Sequence, residues 1–475
     1  MSLFRTLISF ATVMTIAASA TLSADTAVAR KSRESFHRET RQRDFDAVQR
    51  FVNSKRTIPL EEKDSNLSIA GDVRFGWGSV NEKVANIKQR GRDFDQVRAQ
   101  EDEITNAVTD SALRTGVPFS NNVFEVEFNL YIDYVCDRTW AVAWLEFDND
   151  AGIEFNWKRA DQDPNGIFGS GSTDAICLQK AYIGYNIFSD GCNRLDVELG
   201  RRPLYTVFDS RVQFNNRFDG LLFKYATTAE CLGNFYWNLG AFVVDERSDH
   251  YAWVTEMGLL NIANYGFDLK YSFTDWKTFA AHHNTRAKEV PGNVKDPAGI
   301  CFQVSQISAY YHLEPEYLCL PVKFYGAFLH NHAARRFIPT NNSTGLPVAT
   351  NAPAKTEVGR ANNAWYAGVM VGQVCQERDW SIELNYQYVE TQAVPDSDVS
   401  GIGSARNVLR DTVTGNGYGY TNYKGWFLEG VYAVTDNLSV DARFEWSKDI
   451  DANNGSPDNS KHKYSLVRLE AIYAF

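Results

Sequence analysis

Apolar and polar residues alternate one by one in many stretches of this chain, and this pattern limits its fold more than any other feature. Over residues 123–134, one face carries Phe, Val, Phe, Leu, Ile and Tyr, whereas the other face is mostly acidic or amide. The alternation recurs at 195–199, 382–388 and 438–446. A period of two is that of a β-strand with one apolar and one polar face. After residue 30, no stretch approaches the ~18 consecutive apolar residues of a membrane helix.

The connections between these stretches alternate in length. Short turns are predicted near 136–138, 190–193, 228–233, 274–277, 314–320, 375–379 and 435–437. Longer polar loops are predicted at 80–120, 150–174, 205–218, 247–255, 287–298, 333–362, 392–422 and 450–462. Such sorting is typical of outer-membrane barrels. We therefore predict an all-β fold over 66–475: a closed antiparallel transmembrane β-barrel of about sixteen strands, with short periplasmic turns and long extracellular loops.

The first 29 residues have the composition of a signal peptide. Arg5 precedes the short apolar run 7–18, and small residues favour cleavage after Ala20 or after Ala29. Residues 30–65 form a charged periplasmic segment, for which a short amphipathic helix and a solvated linker both remain open.

Charge and cysteine content narrow the partners. The formal net charge of -11 argues against nucleic acid, because phosphate binding needs clustered basic residues. Seven cysteines in an exported chain face an oxidising compartment. Neighbouring short turns lie ~9–10 Å apart, farther than the ~4.4–6.8 Å between the Cα atoms of a disulfide. Bonds to copies of this chain or to other envelope proteins are therefore expected. The disulfide candidates at the short turns are Cys136, Cys192, Cys231, Cys319 and Cys375.

The last strand ends on two aromatic residues at alternate positions, Tyr473 and Phe475. This ending resembles the strand by which the bacterial barrel-assembly machinery recognises outer-membrane proteins. Tryptophans near both ends of the predicted strands agree with two membrane interfaces. These features predict that the protein lies in the bacterial outer membrane and that its outer face contacts the membrane lipid.

The whole mature chain resembles the general bacterial outer-membrane porin superfamily. The resemblance rests on the strand spacing, on Phe475, and on Leu199–Pro203 followed by 208–210 and 218–220, where a Gly-Arg strand end leads into an inserted loop. It implies passive diffusion of small polar solutes or ions, with a homotrimer as one expected assembly. The cysteine content is similar, more loosely, to that of porin-like proteins of chlamydia-related bacteria, whose disulfides stiffen the envelope.

A diffusion channel needs a polar lumen and a charged constriction. If the stretch 205–218 folds inward, the candidate constriction residues are Arg201, Arg202, Asp209, Arg211, Arg217 and Asp219. The predicted lumen-facing residues are Glu125, Glu127, Asp196, Glu198, Asp441, Arg443, Arg468 and Glu470. The acidic excess favours weak cation preference, whereas the arginine cluster favours the opposite.

Catalytic patterns are weak, and no catalytic residue, metal site or cofactor is predicted. His330 and His332 lack further ligands at a spacing that would close a metal site. No Gly-x-Ser-x-Gly motif occurs in the chain. Besides a porin, two other functions are compatible with the sequence: a structural or adhesive barrel cross-linked into the envelope by disulfides, and a barrel enzyme.

Overall fold

The structure of the protein is a computed structural model. It describes residues 59–62, 65–84, 87–89, 122–150, 153–155, 167–170, 176–190, 192–229, 232–245, 250–278, 302–315, 320–334, 337–340, 354–357, 361–395, 398–405, 409–410, 417–418, 421–450 and 462–475. The predicted signal peptide and most of the charged segment 30–65 lie outside these residues. The end of that segment, Pro59–Glu62, is a short strand that pairs with Ser65–Ser68.

Within the described residues, sixteen long antiparallel strands form the wall of a closed barrel. They are β1 (Ser65–Val84), β2 (Asn122–Cys136), β3 (Thr139–Asp150), β4 (Ile176–Ser189), β5 (Asn193–Pro203), β6 (Arg217–Ala229), β7 (Gly233–Asp245), β8 (His250–Ile262), β9 (Phe267–Thr278), β10 (Phe302–Leu313), β11 (Val322–Asn331), β12 (Asn363–Gln373), β13 (Trp380–Val389), β14 (Tyr423–Ala433), β15 (Leu438–Asp449) and β16 (His462–Ala474). The predicted fold and strand number are confirmed.

Several shorter elements flank the wall. Two-stranded pairs join Ile153–Phe155 to Ile167–Ser170, Phe337–Thr340 to Ala354–Glu357, and Leu409–Arg410 to Gly417–Tyr418. The described helical elements are a 3-10 turn, Leu204–Thr206, and one α-helical turn, Ile402–Ala405. In the described part of the chain, no helix has the length and apolarity to cross a bilayer.

Pairing of the first and last strands closes the barrel. The register runs from Asp72 opposite Ala474 to Val84 opposite His462. Beyond it, Gly71 and Phe475 exchange both backbone hydrogen bonds, each 2.9 Å long. The Phe475 ring lies over Gly71 on the outer face and stacks on Phe128, with a centroid distance of 6.4 Å. The C-terminal residue is thus part of the seam.

One predicted turn is wrong. Thr274–Lys277 lies inside β9, and the turn between β8 and β9 is at 263–266. Asn261, Ala263 and Asn264 adopt positive φ angles there, as does Gly266, which is the backbone conformation that asparagine and glycine tolerate best. The predicted loop 247–255 is also shorter than expected, because β8 begins at His250 and leaves only residues 246–249 as the connection.

Opposite faces of the wall differ in chemistry. The outward positions are largely apolar, and many are exposed, among them Val73, Phe75, Val126, Leu199 and Leu384. The inward positions carry many buried polar groups, among them Asp72, Asn129, Glu256, Gln306 and Glu383. An apolar outer band around a polar interior is the pattern of a barrel in a bilayer.

The seam at Gly71 generates a test of barrel closure. A Cβ at Gly71 would lie 2.8 Å from the Asn129 carbonyl oxygen and 2.7 Å from the Phe475 ring. We expect Gly71→Ala to displace the terminal strand and to lower the free energy of unfolding by about 1–3 kcal/mol. Urea unfolding in lipid vesicles and heat-modifiability on gels measure the effect. Gly78→Ala on the same strand is the control, because its Cβ would meet no atom closer than 3.9 Å. Equal stability of the two variants would contradict the assignment.

Candidate functional site

The connection between β5 and β6 folds into the barrel, and we call Leu204–Asn216 the internal loop. Leu204, Phe208 and Phe214 are at most 1% exposed. They pack with apolar inward-facing residues of β6 to β9, including Phe242 and Val254. Burial of these side chains fixes the loop against one side of the wall, because each large apolar group stabilises its buried position by roughly 1.5–3 kcal/mol.

Polar contacts at Asp209 hold the middle of the internal loop to β8, β9 and β10. The Asp209 carboxylate accepts a 2.6 Å bond from Lys270 Nζ, and its backbone N–H donates to Glu256 Oε2 at 2.8 Å. Gln306 donates its side-chain amide to the Asp209 carbonyl oxygen. Lys270 and Asp209 are both buried, so this ion pair compensates charges that would be costly if left alone.

Arg211 extends the attachment across the barrel to β13. Its Nη2 lies 2.5 Å from Glu383 Oε1, and its guanidinium carbon is 5.6 Å from the centroid of Tyr325 on β11. Burial alone would lower the pKa of Arg211, but the attraction of Glu383 outweighs it and raises the pKa above its ordinary value. The side chain therefore stays charged and anchors the loop to the wall.

Asp398 joins the internal loop to a second inward segment, residues 398–405, which we call the clasp segment. One Asp398 oxygen accepts the Phe214 N–H at 2.9 Å, and the other accepts the Asn216 N–H at 3.0 Å. Val399 and Ile402 of the clasp segment are buried beside Val212 of the internal loop. Burial raises the pKa of Asp398 to about 7, although these hydrogen bonds oppose the shift.

A second group of inward-facing charges lies on β5, β6, β15 and β16, away from the strands that Asp209 and Arg211 contact. Arg443 bonds Glu445 through Nε at 2.7 Å, and Lys224 bonds Glu198 at 3.0 Å. Arg468 pairs with Glu470 in the same way. Arg443 and Arg468 are also directly opposite each other in the β15–β16 register.

Solvent reaches these bases from inside the barrel. The side chains of Arg443, Arg468 and Lys224 are 25%, 28% and 30% exposed, whereas those of their partners Glu445, Glu470 and Glu198 are 0%, 7% and 2% exposed. Beneath the internal loop, Asp209 and Lys270 are each 6% exposed. The interior is therefore closed at Asp209 and Lys270 and partly accessible at Arg443, Arg468 and Lys224.

The six candidate constriction residues separate into two groups. Arg202, Asp209 and Arg211 lie inside, where Arg202 pairs with Glu198 and its guanidinium carbon is 4.0 Å from the Tyr182 ring centroid. The other three are exposed and lie on the outward face, because strand neighbours alternate between faces. This placement corrects the expectation that all six surround one point. The outward residues are Arg201, Arg217 and Asp219.

The predicted lumen-facing residues share the inner face wherever their side chains are described. Glu127 lies 3.7 Å from Arg74 of β1, and Asp196 accepts a 2.7 Å bond from Asn186. Asp441 is buried opposite Glu470. The Glu125 side chain lies outside the described residues. Lys224, Lys270, Glu383 and Asp398 were not predicted, although the alternating pattern marks the first three as inward positions.

The remaining predicted residues lie mostly at the short-turn rim. Cys136, Cys192 and Cys375 are at or beside short turns, and Tyr473 and Phe475 are exposed on the outer face at the same end. Cys231, Cys301 and Cys319 lie outside the described residues. His330 and His332 contact each other on the outer face, at a centroid distance of 4.9 Å. Among the described residues, no group of three or more metal-ligating side chains is assembled.

The pKa of Asp398 generates a pH prediction. The folded chain holds a proton that the unfolded chain releases between about pH 4 and pH 7. The free energy of unfolding therefore falls as pH rises through this window, by about 1.4 kcal/mol per pH unit for one group. Asp398→Asn should remove this slope from urea unfolding curves in lipid vesicles, since every other carboxylate is common to both chains.

A matched control is Asp190→Asn, at an exposed turn outside the barrel interior. A hydrogen bond from the Asn193 backbone lowers the pKa of Asp190, so this carboxylate stays charged above pH 5. Its removal should shift stability equally at pH 5 and pH 7. An unchanged slope in Asp398→Asn would show that Asp398 does not titrate in this range.

A family model described as "Putative porin" matches residues 302–461, which span β10 to β15. No curated protein shows a significant sequence match. Among solved structures, Pseudomonas putida OprB is 10% identical with a TM-score of 0.47, and the match covers 87% of this chain and 94% of that one.

Two further solved structures have similar values. Salmonella typhi OmpF, in a complex with daunomycin, is 10% identical with a TM-score of 0.44, and covers 88% of this chain and 100% of its own. The Acinetobacter baumannii outer-membrane channel DcaP is 11% identical with a TM-score of 0.41, and covers 88% and 99%.

The closed sixteen-strand wall and the apolar outer band agree with the family match over six strands. Residues 302–461 are thus similar to a family described as putative porins, and the barrel lies in the bacterial outer membrane.

Proposed function

We propose that the protein is a porin through which small polar solutes and ions diffuse passively. The observation that carries this proposal is the uneven exposure of the inward charges. Arg443, Arg468 and Lys224 are reached by solvent inside the barrel, whereas the charges beneath the internal loop are sealed. A wall of sixteen strands leaves room for an aqueous lumen, and the internal loop narrows it from one side.

We further propose that the lumen prefers anions. In the pairs Arg443–Glu445, Arg468–Glu470 and Lys224–Glu198, the carboxylate is buried and the basic group is partly exposed, so a passing ion meets the positive member first. The sign of lining groups decides which ions enter a pore. The acidic total of the sequence favoured weak cation preference, but total charge counts residues that no permeating ion meets.

Within this proposal, Arg202, Asp209 and Arg211 act indirectly. Their contacts with Glu198, Lys270 and Glu383 are largely buried, and they set the width of the lumen by fixing its inner surfaces. The channel interpretation is favoured over a barrel enzyme, because Arg202, Asp209 and Arg211 each have a structural partner on the wall.

Reversal potentials test the proposed selectivity. We expect purified wild-type protein to open ohmic channels in planar bilayers, with anion preference in a potassium chloride gradient. Arg468→Gln should shift the reversal potential toward cation preference, because it removes an exposed positive charge and leaves Glu470. Arg201→Gln is the matched control, since Arg201 lies on the outer face in a 2.7 Å pair with Asp219. Cation preference in the wild type, or equal shifts in both variants, would refute the assignment.

We infer a second, additional role for the rim cysteines. Cys192 is exposed, Cys136 is partly exposed, and neither forms a disulfide with another described residue. Both lie on the periplasmic rim, where thiols meet an oxidising compartment and other envelope proteins. Disulfides from this rim to copies of the barrel or to neighbouring proteins would tie the channel into the envelope without entering the lumen.

Non-reducing gels of intact cells test the cross-linking. We expect high-mass species that collapse to the monomer on reduction, because exposed thiols exchange readily with partners. Replacing Cys136, Cys192 and Cys375 together by serine should reduce these species, whereas Cys177→Ser within β4 is the matched control. Monomer alone in untreated cells, with every thiol open to alkylation, would remove this role and leave conduction unaffected.

A further inference from the structure

Lysines occupy one cross-strand row at the long-loop end of the barrel, on four neighbouring strands of the wall and one short strand. Lys424 of β14 is opposite Lys448 of β15, and Lys448 is opposite Lys463 of β16. Lys463 is opposite Lys83 of β1, and Lys83 is opposite Lys88 in the short strand Ile87–Gln89. We call Lys424, Lys448 and Lys463, whose side chains are described, the lysine row.

The lysine row lies on the outer face. The strand neighbours Gly425, Ser447 and Tyr464 are buried on the inner face, and alternation sends the lysines to the opposite side. One step further into the membrane region, Trp426 is opposite Trp446 on the same outer face. Tryptophan prefers the membrane interface, so the row lies at headgroup level, just beyond an aromatic belt.

Within the described residues, no carboxylate neutralises these lysines. Lys448 contacts the Trp446 ring, with Nζ 5.8 Å from its centroid, and no described carboxylate forms an ion pair with Lys424 or Lys463. Two comparisons show that this is a local feature. The inward Arg443 and Arg468 of the same strands are each paired with a glutamate. Arg201, on the outer face of β5, is paired with Asp219.

Like charges in directly opposite positions destabilise a sheet. The side chains of such pairs begin only ~4.5–5.5 Å apart at Cβ, and a bilayer surface screens them less well than bulk water. No described carboxylate forms an ion pair with these three lysines, and an anion that bridges them would offset their repulsion. The spacing suits a group with several anionic oxygens that bridges neighbouring ammonium groups.

The row is also asymmetric along the strands. Its members are within two residues of the long-loop ends of β14, β15 and β16. At the opposite end, the turn 434–437 between β14 and β15 carries Asp436 and no basic residue. A positive patch at the long-loop ends of these three strands is suited to an anionic lipid of the outer leaflet.

An aromatic cluster continues the patch on its β13 side. Tyr388 is opposite Lys424 in the register, its ring stacks on Trp365 at 5.9 Å, and Tyr386 packs edge-on against Trp426 at 4.8 Å. The nearby carboxylate of Glu390 is engaged by the Tyr388 hydroxyl and the Asn363 N–H. Rings beside cations offer stacking surfaces for sugar or acyl groups of the same lipid.

We propose that the lysine row binds the phosphate groups of a phosphorylated glycolipid in the outer leaflet. The lysines take the phosphates, and the aromatic cluster of Trp365, Tyr386, Tyr388 and Trp426 contacts the remainder of the lipid. The proposal does not rest on conduction, because the site is on the outside of the wall. It assigns to this sector of the barrel a fixed lipid that compensates the repulsion within the row.

The test compares the wild-type barrel with the triple variant Lys424→Gln, Lys448→Gln and Lys463→Gln in vesicles without divalent cations. The vesicles contain phosphatidylcholine alone, or with added bisphosphorylated lipid A, or with dephosphorylated lipid A. Native mass spectrometry counts bound lipid, and urea unfolding measures stability. The matched control is Arg201→Gln with Arg217→Gln, which removes two basic groups from the outer face in another sector.

The stability difference between the triple variant and the wild type is expected to change sign between the two kinds of vesicle. In phosphatidylcholine the triple variant should be at least as stable as the wild type, because repulsion has been removed. Bisphosphorylated lipid A should stabilise the wild type and the control variant but not the triple variant, whose affinity should be about tenfold or more weaker.

Three results would overturn the proposal. Equal binding of dephosphorylated lipid A would show that acyl chains alone are recognised. Displacement by inorganic phosphate would identify a free-anion site in place of a lipid site. Loss of oligomers in the triple variant, with lipid binding unchanged, would make this face a contact between barrels.

Discussion

The hydrogen-bonded seam between β1 and β16 is the interaction on which the rest of the molecule depends. A strand in hydrocarbon has no water to satisfy its backbone N–H and C=O groups, so an open edge inside a bilayer is prohibitively costly. The register from Asp72–Ala474 to Val84–His462 removes both edges at once. The Gly71–Phe475 pair adds the last two bonds of the seam, which is why Gly71 has no room for a side chain.

Closure has a consequence for the interior. Alternation makes every second residue of the wall point inward, and the wall of sixteen strands is too wide for its own side chains to fill. The internal loop occupies part of this space and carries its own apolar core of Leu204, Phe208 and Phe214. Its charges are all matched to the wall, through Lys270 for Asp209 and Glu383 for Arg211. The remaining space is lined by the charges of β5, β6, β15 and β16.

Most of the fold was predictable, because the two-residue period of a β-strand determines both the polarity of each side chain and the face of the wall on which it lies. Each strand that alternates in the sequence is a strand in the barrel, and the sorted connections predicted the number of strands. The turn at 263–266 was missed because its signal is the backbone conformation of Asn261 to Gly266, which is less visible than a polar run. Thr274–Lys277 is polar for a different reason: Thr274 is an inward position of β9.

The candidate site was less predictable, because nearness in sequence does not decide which face a side chain takes. Arg201 and Arg202 are neighbours, yet the first lies on the outer face with Asp219 and the second lies inside with Glu198. Asp398 is 182 residues from Asn216, and nothing in either local sequence indicates that they meet. A single sequence predicts faces and elements, whereas contacts between distant loops depend on the closed barrel.

Strands β14 to β16 carry basic residues on both faces, toward the aqueous interior and toward the membrane. The neutralisation of these charges differs between the two faces. Inside, the short carboxylate of Glu445 or Glu470 lies against the wall, while the longer arginine side chain reaches past it toward water, as long basic side chains do at a polar boundary. The repulsion between Arg443 and Arg468 is thereby offset within the chain. Outside, Lys424, Lys448 and Lys463 repeat that juxtaposition without any described carboxylate. Opposed like charges destabilise a sheet unless an opposite charge neutralises them, and on the outer face the lipid of the membrane can supply that charge.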